Sequence, residues 1–76
     1  MIPELFHAID DDGESARARR ALVELGLAER VRIRNVFYPE VIADLRARGG
    51  TRTPAIWDGH QLLEGADAVI AYLQRL

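Results

Sequence analysis

The stretch TPAIWDGHQLLEGADAVIAYL, Thr53 to Leu73, sets a strand, a turn, a second strand and a helix in succession with almost no spacer. Pro54 lacks a backbone donor and has a fixed φ, so it belongs at the first position or the edge of a strand. Ala55, Ile56 and Trp57 continue that strand. Asp58-Gly59 predicts a two-residue hairpin turn with positive φ at both central positions, and Gln61 to Leu63 return antiparallel. Glu64-Gly65-Ala66-Asp67 turns into a helix whose Val69, Ile70, Tyr72, Leu73 and Leu76 share one face, which would cover the hairpin.

Upstream, Met1 to Ile9 carries Ile2, Leu5, Phe6, Ala8 and Ile9 and predicts a buried strand. His7 within it has no second histidine nearby, and a lone strand histidine is more often structural than catalytic. Asp10-Asp11-Asp12-Gly13 breaks the pattern. An aspartate N-cap with Glu14 in the first turn suits the positive end of a helix running from about Glu14 to Leu25. Ala18, Ala21, Leu22 and Leu25 form its apolar stripe, and Gly26 ends it. Arg30 to Arg34 alternates with period two, as expected of a strand with charged outward positions that protect a sheet edge. Pro39 opens a second helix with Val41, Ile42 and Leu45 inward, and Gly49-Gly50 closes it.

Seventy-six residues make one small domain. A chain of this size buries about 60 to 65% of its unfolded surface, so modest stability is expected. A net charge of −2 argues against nucleic-acid binding, which needs clustered positive charge. No apolar run approaches the roughly 20 residues of a membrane span, and no basic stretch leads into an apolar one at the N-terminus, so a cytoplasmic location is expected. Cysteine is absent. That removes disulfides, thiolate nucleophiles and thiolate metal sites together.

The order is β-α-β-α-β-β-α. Two strand-helix-strand steps imply parallel pairing with right-handed crossovers, and the final hairpin adds an antiparallel strand. The expected architecture is α/β, a four-stranded mixed sheet with helices on both faces. A ferredoxin-like plait is disfavoured because it has no helix between its middle strands.

This order, with Gly50-x-x-Thr53-Pro54-Ala55-Ile56, then Asp58-Gly59-x-x-Leu62-x-Glu64-Gly65, resembles the thioredoxin-like fold. Within it the chain is similar to glutaredoxins and to the N-terminal domain of glutathione S-transferases. The resemblance implies a cis Thr53–Pro54 bond, with the Thr53 backbone pairing with the backbone of glutathione or an extended peptide. The alternative is a scaffold proline that only shapes the start of the strand. It further implies that Glu64, Gly65, Ala66 and Asp67 form a ligand-binding turn. Backbone donors there would receive a carboxylate and Asp67 an amine; the alternative is an ordinary helix cap.

Aligned on Ala21-Leu22 and Gly26, the redox Cys-x-x-Cys position of glutaredoxins falls on Gly13, Glu14, Ser15 and Ala16. Thiol-disulfide exchange needs a thiolate that this degenerate site does not contain. Asp10, Asp11, Asp12 and Glu14 would repel anionic glutathione, partly offset by Arg17, Arg20 and Arg52. The acidic run lacks the ligand spacing of a calcium loop, so no metal is expected.

Three functions remain in view. The first is a redox-inactive domain holding glutathione, a peptide or a protein partner at the Pro54 groove. The second is a minimal transferase-like enzyme in which the Ser15 or Tyr38 hydroxyl polarises a thiol, although a serine in the first helical turn more often bonds local backbone. The sequence ends at Leu76, without the helical second domain that the resemblance implies for a complete transferase. The third is a structural or interaction domain, monomeric or homodimeric, using Tyr38 and Trp57, with Trp57 either core or interface.

Overall fold

A computed structural model describes all residues, 1–76. The elements are β1 (Glu4–His7), α1 (Glu14–Glu24), β2 (Arg32–Asn35), α2 (Pro39–Ala47), β3 (Ala55–Trp57), β4 (Leu62–Glu64) and α3 (Ala66–Gln74). The sheet order is β2-β1-β3-β4, with β1 and β2 parallel and the other pairs antiparallel. This is the α/β, thioredoxin-like topology.

Strand alternation divides the core between two faces. Leu5 and Ile56 join Ala18, Ala21, Leu22, Leu27, Val31, Val69 and Leu73 under α1 and α3. Phe6 and Ala55 meet Val41 and Leu45 of α2 on the other side. Val69 and Leu73 are fully buried, so α3 packs against α1 as well as over the hairpin. Leu76 lies beyond the helix and is exposed.

Several local expectations need correction. The first strand covers only Glu4–His7, and Ile2 and Ile9 lie outside it, exposed. Leu25 caps α1 in an exposed position, and Ser15 takes the buried place on the stripe instead. The edge strand β2 is shifted to Arg32–Asn35. There Ile33 is about half exposed while Arg34 turns beneath α2, the reverse of the charged-outward reading. The hairpin connection spans Asp58 to Gln61, since Trp57 pairs with Leu62. Only Gly59 has positive φ. Asp58 closes the turn through its carboxylate, which accepts the His60 and Gln61 N–H groups (2.7 and 2.8 Å).

Arg34 turns inward because charge awaits it there. The buried Glu4 carboxylate receives Arg34 and Arg48, and Arg34 also reaches Asp44 (2.8 Å). Burial pushes the Glu4 pKa up, but the two arginine hydrogen bonds outweigh it and leave it below the usual range. The Arg48 guanidinium lies 4.8 Å from the Trp57 ring centroid. Trp57 is therefore half-buried under an arginine, neither a sealed core residue nor a free interface residue.

Candidate functional site

The site forms where β1 and β3 end together. Phe6 pairs with Ala55 in the antiparallel register, so continuing the ladder past Pro54 would set Thr53 opposite Ala8. The ladder stops because the polar groups of Ala8 are already committed to α1. Its N–H donates to Ser15 Oγ (3.1 Å), and its carbonyl accepts from Arg19 (2.9 Å) and the Asp11 N–H (3.1 Å). On the other side, the Pro54 carbonyl accepts the Gly65 N–H (2.8 Å) before α3 begins. The Thr53 N–H and carbonyl are left with no partner in the chain. The Thr53–Pro54 bond is cis, as the resemblance implies.

The residues at the degenerate redox position are absorbed into the fold. Gly13 is the N-cap of α1 and supplies no side chain, so the cap comes from Asp11, which accepts the Gly13 and Ser15 N–H groups (2.8 and 3.0 Å). Those backbone donors hold the Asp11 carboxyl below its ordinary pKa. Ser15 is fully buried against Ala8, which leaves its hydroxyl away from any ligand in solvent. Ala16 is half-buried on α1. Glu14 reaches across to α3, where its carboxylate accepts the Ala66 N–H (3.2 Å).

That contact bears on the acidic turn. Of its residues, Gly65 donates to Pro54, Ala66 to Glu14, and Asp67 pairs with Arg17 (2.9 Å). Glu64 holds the preceding loop by accepting the Thr51 N–H and hydroxyl. The Gly65 and Ala66 donors are thus met by the chain itself, while the Asp67 carboxylate, 92% exposed, is held only by a surface pair. Gly65 is a requirement of this packing: its φ is 95°, and a side chain there would collide with the Arg52 guanidinium.

His7 is buried, and its Nδ1 lies 3.0 Å from Arg19 Nη1. Arginine only donates, so Nδ1 accepts and the ring is neutral. Burial, with the Arg19 charge adding to it, lowers the His7 pKa. No three His, Asp or Glu side chains converge as a metal site would require.

The open side lies towards α2. A cleft of about 150 Å³ is lined by Val36, Ile42, Leu45, Arg46, Gly50 and the Thr51–Thr53 loop. Gly50 is required in its wall, because a side chain there would overlap Leu45 and Leu62. Phe37 and Tyr38 follow Val36 and are exposed. A wider depression on α1 is lined by that helix alone and is a surface channel.

Sequence reasoning singled out Thr53, Pro54 and the Gly65 turn, and the structure brings them together. It missed Arg19, which organises the β1–α1 loop, and Arg46, which lines the cleft. An arginine seven residues before Thr53 on a helix carries no local signal of either kind. No protein-family model, curated protein or solved structure matches this chain.

Proposed function

We propose that this chain is a redox-inactive, glutaredoxin-like binding module that holds an extended peptide, from a partner protein, along the Thr53 backbone. The observation that carries the proposal is the unpaired Thr53 N–H and carbonyl at the end of a sheet, beside an Ala8 whose N–H and carbonyl are satisfied and a Pro54 whose carbonyl is. A free main-chain donor and acceptor beside a strand is the minimum needed for a peptide to add by backbone pairing. The absence of cysteine keeps such a site from performing thiol exchange by itself.

A peptide suits the site better than glutathione does. The γ-glutamyl end of glutathione would need the Gly65 to Asp67 turn, whose donors serve Pro54 and Glu14 and whose carboxylate serves Arg17. The hydroxyl-transferase reading loses Ser15, which is buried and engaged with Ala8, and would rest on the exposed Tyr38 hydroxyl alone.

The test is an amide NMR titration with acetyl-Ala-Val-Ala-amide and its centrally N-methylated analogue. The first should shift the Thr53 resonance and the second should not, because methylation removes the pairing donor. Equal shifts from both, or none from either, would contradict backbone pairing.

A further inference from the structure

The sheet order β2-β1-β3-β4 gives β2 a neighbour on one side only. Along it the backbone alternates between that neighbour and the free edge. Arg32 N–H donates to the Pro3 carbonyl (2.8 Å) and Val36 N–H to the His7 carbonyl (3.0 Å), so the even-numbered residues face β1. The N–H and carbonyl of Ile33 and the N–H of Asn35 therefore point away from the sheet, where no strand lies beside them. Such an edge is a template for another extended chain.

The side chains decide which chain can use it. Ile33 pairs with Leu5 and so stands on the face that α1 and α3 cover, yet it remains 47% exposed. Arg32 pairs with Glu4 and stands on the α2 face. Three arginines meet two carboxylates there. Arg34 and Arg48 take Glu4, Arg34 also takes Asp44, and Arg32 is exposed and makes no ion pair. Like charges directly opposite across a pair of strands destabilise it, and opposite charges stabilise it. A second copy joining antiparallel about Ile33 would set Arg32 of each chain opposite Arg34 of the other. An acidic strand meets no such opposition.

We infer that the β2 edge is a docking surface for an extended segment of an acidic partner protein, with an Asp or Glu opposite Arg32 and an apolar residue opposite Ile33. β1 lies between β2 and β3, so this surface is separate from Thr53 and does not rest on the groove.

The experiment titrates three peptides into the whole chain and into Arg32→Gln, read by amide NMR: acetyl-Thr-Val-Glu-Val-Thr-amide, its Gln counterpart, and the Glu peptide N-methylated at both valines. The Arg32 side chain forms no ion pair within the chain, so its substitution leaves the fold in place. The Glu peptide should shift Ile33 and Asn35 and bind about threefold more tightly than the Gln peptide, a preference that Arg32→Gln abolishes. The methylated peptide should shift neither residue, because it lacks the donors that would meet the Ile33 carbonyl. Equal affinity for the Glu and Gln peptides, or a preference that survives Arg32→Gln, overturns the acidic partner. Shifts confined to Thr53 and its neighbours place the peptide in the groove and overturn the edge. An Ile33 resonance that moves on dilution without peptide gives the edge to a second copy and overturns the inference as well.

Discussion

The two sides of the Thr53–Pro54 rim are built on opposite terms. Towards α1 and α3, Ser15, Arg19, Asp11, Glu14 and Arg17 satisfy the backbone and carboxylate groups of the β1–α1 loop and the Gly65 turn. Towards α2, Thr53 keeps a free donor and acceptor, and Arg46 and Arg52 keep free charges. The first side lies where a redox centre sits in the proteins the sequence resembles. With no sulfur to expose there, the chain has filled that region with internal hydrogen bonds. Internal contacts and unpaired backbone groups are thereby separated onto two sides of one proline.

The separation can be broken most severely at Arg19. Its guanidinium reaches the Ala8 and Asp11 carbonyls (2.9 and 3.1 Å) and His7. Arg19→Ala strips partners from part-buried carbonyls, at about 1.5 to 3 kcal/mol for hydrogen bonds to a charged group. Urea unfolding should show a loss of that size. A loss below about 0.5 kcal/mol would mean the loop is held by other contacts.

Acid acts on the same side by protonation. The folded pKa of His7 is depressed by burial and by Arg19, so below its ordinary value of about 6.5 the unfolded chain takes the proton first and stability falls. Asp11, held low by backbone donors, extends the fall below about pH 4, and Glu4, Asp44 and Asp58 are depressed as well. Midpoints of urea unfolding should decline from pH 7 to 5 in the wild type and stay flatter in His7→Gln. A parallel decline in both would assign the effect to the carboxylates alone.

Smaller still is Glu14→Gln. It keeps the reach to Ala66 but removes the charge at the α3 N-terminus, worth about 0.3 to 1 kcal/mol. Glutathione titration sharpens the comparison, since losing that negative charge should strengthen binding of the anionic ligand at the turn. Unchanged affinity would show that the Glu14 charge does not oppose the ligand there. On the open side, Arg46→Gln and Arg52→Gln break no internal hydrogen bond or ion pair and should leave the unfolding midpoint within about 0.5 kcal/mol of the wild type.

What the sequence disclosed depended on how near each partner lies. Element order, the Pro54 strand start and the Gly65 turn were readable because proline, glycine and apolar period act within a few residues. The hairpin was placed correctly but its turn was misread: the Asp58 carboxylate, rather than a second positive φ, closes it. Arg34 was read as outward because alternation takes no account of a buried Glu4 thirty residues away. The contact between Glu14 and Ala66 spans fifty-two residues, and that between Arg17 and Asp67 spans fifty. No window-based pattern reports such pairs. For the same reason Gly65, Ala66 and Asp67 read as ligand groups in sequence and have partners within the chain in three dimensions.

Amide hydrogen exchange at residue 53 tests the central claim directly. In the free protein the Thr53 N–H should exchange much faster than those of Gly65 and Ala66, which have partners. Saturation with the extended peptide should slow Thr53 while leaving Gly65 and Ala66 unchanged. A Thr53 amide already protected without ligand, or one indifferent to the peptide, would contradict the claim that its backbone was left open for a partner.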